Sequence, residues 1–187
     1  GFEDLAVAGT CQTVTGLEEN VVYYYRVRAV GAGGCVSSNS TLASVSTTVN
    51  PPSTPTGLTA SDGSSTVHVE LRWNDVLKET NYVIWRNTAT NFVGATPIRT
   101  NAANVTNYND VDATPGQQYW YFVTATNKAG TSAASASDPG YRKLAMVNNV
   151  AATDGTHTNQ VVVSWTDGAG ETGYAIWRGT NSTSNTA

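Results

Sequence analysis

The chain has 187 residues, of which 40% are apolar and 13% charged, and its net charge is −4. That apolar content supports a packed core and excludes charge-driven disorder, and the absence of a basic run excludes a track for nucleic-acid phosphates. Apolar runs are too short for a membrane-crossing helix, so no membrane insertion is expected.

The polar surface must come largely from Thr, Ser, Asn and Gly, a composition that suits strands with polar outer faces joined by turns. No stretch supplies Glu, Lys, Leu and Ala on a helical period. The chain opens on Gly1, not Met, with no secretory leader, as expected of a processed chain or an excised piece.

In chain order, the first strand signal is the row Tyr23, Tyr25, Val27, Ala29, which lies between Cys11 and Cys35. Pro51, Pro52 and Pro55 mark a linker. After the turn Asp62-Gly63, the residues Val67, Val69, Leu71 and Trp73 alternate with His68, Glu70 and Arg72, which predicts a strand with one buried face. Tyr82 and Ile84 begin another. The turn Thr114-Pro115-Gly116 precedes a second long row, Tyr119, Tyr121, Val123 and Ala125, and Lys128-Ala129-Gly130 ends it. Pro139-Gly140 lies near the exit.

Internal repetition decides the organisation. Ala60, Asp62-Gly63, Trp73, Asp75, Tyr82, Ile84, Trp85 and Arg86 recur 92 residues later as Ala152, Asp154-Gly155, Trp165, Asp167, Tyr174, Ile176, Trp177 and Arg178. Tyr23, Tyr25, Val27, Ala29 and Gly34 recur 96 residues later as Tyr119, Tyr121, Val123, Ala125 and Gly130. The first match covers the front of a repeat and the second its back. Residues 51–143 therefore hold a complete domain, 1–50 the C-terminal half of one, and 144–187 the N-terminal half of another.

A repeat of this length with short alternating strands and a buried Trp reads as all-β, a two-sheet antiparallel sandwich. The stretches PPSTPTGLTASDG, VELRWND, NYVIWRN and PGQQYWYFVTATNKAGTSAASAS resemble a fibronectin type III domain, closest in wording to repeats of secreted bacterial proteins. Trp73 resembles that family's second-strand core Trp, and Tyr119, after Pro115-Gly116, its tyrosine-corner residue. Leu17-Glu18-Glu19-Asn20 before Tyr23 keeps the spacing without the Pro-Gly. The resemblance covers nearly the whole chain. It implies tandem immunoglobulin-like sandwiches and an extracellular or cell-surface location.

That fold would place Cys11 near the start of the fifth strand and Cys35 after the last loop, both at one end of the sandwich. A disulfide there would close a loop of about 24 residues, contributing about 3 kcal/mol; two buried free thiols are the alternative.

No catalytic constellation is present, and the chain is expected not to be an enzyme. His68 and His157 have no partner in sequence, and no Cys or His cluster has metal-ligand spacing. No cofactor is expected. Asp110 and Asp112 could offer oxygens to calcium, or bond their own turn backbone. Sequons at Asn39, Asn104 and Asn181 arise readily in so Thr- and Asn-rich a chain.

The alternation that turns Tyr82, Ile84, Tyr119 and Tyr121 inward turns Val83, Trp85, Trp120 and Phe122 outward, on strands that are neighbours in this fold. Such a patch points to contact with another domain or subunit, to cross-strand packing alone, or to a glycan on Trp85 and Trp120.

A half-sandwich exposes its core face and an unpaired edge. Trp73 to Tyr119 spans 46 residues, and Trp165 through Ala187 and on to Tyr23 of a following copy spans 45. Residues 144–187 plus 1–50 of a neighbouring copy are thus expected to make one domain, with Trp165, Tyr174 and Ile176 sharing a core with Tyr23, Tyr25 and Val27. Within one chain the halves should not meet, because the fold has its termini at opposite ends. The first functional expectation is a structural repeat of an extracellular fibre, stalk or adhesin whose partners are copies of itself, head to tail. The second is a spacer or carbohydrate-binding module of a glycan-degrading enzyme.

Overall fold

A computed structural model describes residues 5–180; the sequon at Asn181 and the step from Ala187 to Gly1 lie outside them. Two compact units are present, the segment up to Pro51 with Lys128–Gly130, and Pro52–Asn127 with the residues from Thr131 onward.

In the first unit β1 (Val22–Tyr25) pairs antiparallel with β2 (Ala43–Ser46), Tyr23 opposite Val45 and Tyr25 opposite Ala43. The pairing continues past Tyr25 by a different device. Val27 N–H donates to Ser40 Oγ at 3.0 Å while Ser40 N–H donates to the Val27 carbonyl at 2.8 Å, and Ala29 and Ser37 repeat the exchange. A serine hydroxyl stands in for a carbonyl, so the edge stays satisfied where the ladder bends away.

The second unit contains the complete sandwich. One sheet has β3 (Thr59–Ala60), β4 (Val69–Arg72) and β7 (Asn107–Asp110) in that order. The other runs β10 (Asp138–Gly140), β8 (Tyr119–Asn127), β5 (Asn81–Asn87), β6 (Thr96–Ala102), and β9 (Gly130–Thr131) also pairs with β8. All ladders are antiparallel, and β5 and β8 share seven paired positions, from Asn81–Thr126 to Asn87–Trp120. Val69, Leu71, Tyr82, Ile84, Tyr121 and Val123 are wholly buried between the sheets, Trp73 nearly so, and Tyr119 packs against them half-buried.

Val67 departs from the predicted row. It is exposed and outside β4. The Ser65 hydroxyl accepts the amides of Val67 and His68, so the chain is still turning there and the ladder starts only at Val69.

Beyond Arg142, β11 (Ala151–Ala152) pairs with β12 (Val163–Ser164). The predicted strand at Tyr174 and Ile176 carries no ladder. Its counterpart β5 is held between β6 and β8, and no such neighbours flank residues 173–179 among the described residues.

The expected disulfide is not formed. Cys11 and Cys35 are free and exposed. Cys35 closes the 3-10 turn Ala32–Gly34, whereas Cys11 lies in no strand, so no ladder brings the two together.

Candidate functional site

The outer face of the β5–β8 pair is built by register. Trp85 lies opposite Phe122, Val83 opposite Thr124, and Asn87 opposite Trp120. Trp120 in turn faces Pro139 of β10. Val83, Trp85 and Trp120 are half-buried, but Phe122 is only 4% exposed. It lies outside the sandwich core, so its cover comes from the outer side.

That cover is Phe92, on the loop between β5 and β6. Its ring stands edge-on to Trp85 at 5.2 Å and to Phe122 at 5.4 Å. The loop is shaped by Asn87, whose amide donates to the carbonyls of Asn91 and Val93 and whose Oδ1 accepts Ala89 N–H. The Trp85 indole N–H is engaged as well, donating to Thr124 Oγ1 at 3.1 Å. The face is therefore an aromatic surface partly covered by its own chain. Nothing in the alternation announced Phe92, a lone aromatic in a polar loop.

Across the sandwich, Asp110, the last residue of β7, is fully buried. Arg86 Nη1 donates to its Oδ2 at 2.8 Å, the Tyr121 hydroxyl at 3.0 Å, and Asp112 N–H reaches its Oδ1 at 3.1 Å. The Arg86 guanidinium also lies 4.6 Å over the Tyr119 ring. Burial and then the Asp110 charge push the Tyr121 hydroxyl well above its ordinary range. Both Asp110 oxygens serve the fold, which favours the turn-and-core reading over calcium. Among the described residues no group of three or more His, Cys, Asp or Glu converges on a metal position.

The segments before Pro51 and after Arg142 share local geometry with the complete sandwich at the positions that the two sequence offsets match. Tyr82 donates to Asp75 Oδ1 and accepts Val76 N–H; Tyr174 does the same with Asp167 and Gly168. Trp73 stands edge-on to Tyr82 at 5.6 Å, and Trp165 to Tyr174 at 5.2 Å. Glu70 N–H donates to Ser61 Oγ, and Val162 N–H to Thr153 Oγ1. At the other end, Val123 and Ala125 exchange bonds with Ser135 and Ser132 just as Val27 and Ala29 do with Ser40 and Ser37. Glu18 N–H donates to the Tyr23 hydroxyl at 2.8 Å, and the Tyr119 hydroxyl reaches Thr114 Oγ1 at 3.2 Å, each across five residues.

What differs is burial. Tyr23, Tyr25 and Trp165 are half-buried, whereas Val27 is 74%, Ile176 62% and Tyr174 37% exposed. Among the described residues no helix is long and apolar enough to cross a membrane.

No family model matches the chain. It is similar to Exoglucanase B of Cellulomonas fimi, 37% identical over 139 residues that cover 67% of this chain and 12% of that protein. It is also similar to Chitinase A1 of Niallia circulans, 28% identical over 155 residues covering 77% of this chain and 20% of that protein. The chain thus spans a fifth or less of the curated relatives it matches. Among solved structures, an Fn3-like protein from Clostridium thermocellum is 33% identical, with a TM-score of 0.43, over 49% of this chain and 95% of that one.

Proposed function

The chain belongs to the fibronectin type III family, and from that premise we propose that it is a non-catalytic spacer of a glycan-degrading enzyme that works outside the cell. One observation carries the reading. Two proteins named for glycan cleavage, an exoglucanase and a chitinase, are similar to most of this chain over a small share of their own length. A segment recurring beside two different substrate names serves what those enzymes have in common, which is the separation and support of other domains, and not the bond that either cleaves.

The outer aromatic face supports spacer over glycan binding. Phe92 already lies across Trp85 and Phe122, and the Trp85 N–H is taken by Thr124. A sugar platform needs an open ring face with polar groups placed beside it.

The reading is tested on the coding sequence that flanks these residues and on the chain itself. A glycoside hydrolase domain in the same reading frame is expected. The chain alone should neither release reducing sugar from cellulose or chitin nor sediment with either polymer. An uninterrupted array of such repeats, with no catalytic domain, would overturn the proposal in favour of a fibre, stalk or adhesin. Sedimentation with one polymer would replace the spacer by a carbohydrate-binding module.

A further inference from the structure

We propose that the turn Pro115-Gly116 is a seat for the loop of residues 167–173 in the repeat that follows, and that this contact holds the two repeats at one angle. The inference goes beyond the spacer reading, because it concerns the junction itself, whatever the chain separates.

Two glycines carry it. A Cβ on Gly170 would fall on the Pro115 carbonyl oxygen, with Pro115 Cβ at 3.2 Å. A Cβ on Gly116 would meet Leu144 Cδ2 at 2.9 Å and the Gly170 carbonyl oxygen at 3.0 Å. Both have a left-handed backbone, with φ of 85° at Gly170 and 74° at Gly116. That conformation alone does not account for glycine at either place. By the two sequence offsets, the counterpart of Gly170 is Lys78, with a φ of 72°, and the counterpart of Gly116 is Asn20, with a φ of 59°. The repeat thus accepts a side chain on this backbone. The remaining reason for glycine is the approach of the two backbones, for which a Cβ leaves no room.

The linker is tied down on both sides of this contact. On the near side the Arg142 guanidinium donates to the carbonyls of Thr66, Val111 and Ala113, which gathers the loops at that end of the complete sandwich. The Arg142 carbonyl accepts Gly116 N–H at 2.9 Å, and Lys143 N–H donates to the Ser65 carbonyl at 2.8 Å. On the far side the Asn148 carbonyl accepts Thr166 N–H at 3.0 Å. Only residues 144–147 lie between these anchors. Of them, Leu144, Ala145 and Val147 line one cleft with Ala169 and Tyr174 of the following repeat. Domains joined by a small contact ordinarily move relative to one another. Here a short tether, lying along the loop it leads to, leaves little slack for that motion.

The test uses the whole chain and two variants, Gly170→Lys and Gly116→Asn. Each installs the residue that the counterpart position already carries on the same backbone, so the complete sandwich should keep its chemical shifts away from the turn. In the parent, nuclear Overhauser contacts should join the Gly170 α-protons to the Pro115 ring. Amide relaxation should give one rotational correlation time for β5 and β8 and for the ladder of β11 with β12. In either variant the contacts should vanish, and β11 and β12 should tumble faster than the sandwich. Two correlation times in the parent would overturn the inference, and so would a single time that survives both variants. Gly94→Asn is the control, since Gly94 has a φ of 83° and nothing within 4 Å of a Cβ. It should leave the correlation time single; a split there would trace the effect to the backbone and not to the contact, and would also overturn the inference. None of these outcomes bears on whether a hydrolase domain lies alongside, so this inference and the spacer reading fail separately.

Discussion

The Tyr82 hydroxyl donates to Asp75 Oδ1 at 2.7 Å. It also accepts Val76 N–H at 2.8 Å, so one oxygen ties the segment that follows β4 to β5. Tyr174 makes the equivalent contacts with Asp167 and Gly168, but on an exposed surface.

Removing the hydroxyl should therefore cost stability at one copy only. Tyr82→Phe leaves a buried amide without an acceptor, and a loss of about 1 to 3 kcal/mol is expected. Tyr174→Phe in the single chain should change stability by less than about 0.5 kcal/mol, since water replaces the lost bonds. Urea unfolding followed by tryptophan fluorescence measures both. Equal losses would mean that burial does not set the strength of this contact.

Alkali should weaken the complete domain. Burial, and then the bond to Asp75, raise the Tyr82 hydroxyl above its ordinary value of 10.0, and burial beside Asp110 raises Tyr121 likewise. The folded chain thus keeps protons that the unfolded chain releases. The contribution is complete below about pH 10 and falls as pH climbs from there toward the folded values. Urea midpoints should be level up to about pH 9 and drop beyond about pH 10, with a shallower drop in Tyr82→Phe. A flat profile through pH 11 would show that neither hydroxyl is held in its neutral form.

Phe92→Ala should uncover the outer aromatic face. It removes two edge-on ring contacts, each worth about 0.5 to 1.5 kcal/mol beyond area. A loss of about 1 to 2 kcal/mol is expected, with tryptophan emission shifted to the red as Trp85 meets water. Unchanged emission would mean that the loop, and not the Phe92 ring, shields this face.

These contacts differ in how far the sequence announced them. Tyr82, Ile84, Tyr121 and Val123 were legible because a pleated strand puts alternate residues on one face, and burial selects apolar ones there. The repeat offsets were legible because turns and core positions keep their spacing. Phe92 was not, since a loop has no period and its place depends on the Asn87 side chain. The serines at 37, 40, 132 and 135 read as polar surface, yet each accepts a strand amide. The cysteines misled because a common end of a sandwich says nothing about whether a ladder fixes both partners, and none fixes Cys11.

The last prediction concerns a swap between repeats. Gly57 has a φ of 65°, and a Cβ there would meet Asn74 Nδ2 at 2.5 Å. Asn74 N–H donates to the Thr56 carbonyl at 2.8 Å, and its amide reaches Thr56 Oγ1 at 3.3 Å. In the next repeat, 92 residues on, Asn149 stands in place of Gly57 and Thr166 in place of Asn74. The backbone is unchanged. Asn149 has a φ of 55°, and Thr166 N–H donates to the Asn148 carbonyl at 3.0 Å. The amide has moved to the other strand, from which Asn149 Nδ2 donates to Thr166 Oγ1 at 2.8 Å. Asparagine tolerates the left-handed backbone better than most residues, so crowding against Asn74 is the main cost of Gly57→Asn, about 1 to 2 kcal/mol. Asn74→Thr alone loses one long, exposed bond and should cost less than about 0.5 kcal/mol. Together they rebuild the arrangement of the next repeat, so the double variant should be more stable than the sum of the two by about 1 kcal/mol. That is well above the few tenths within which independent sites add. Additive losses would mean that the two repeats solve this crossing by unrelated means.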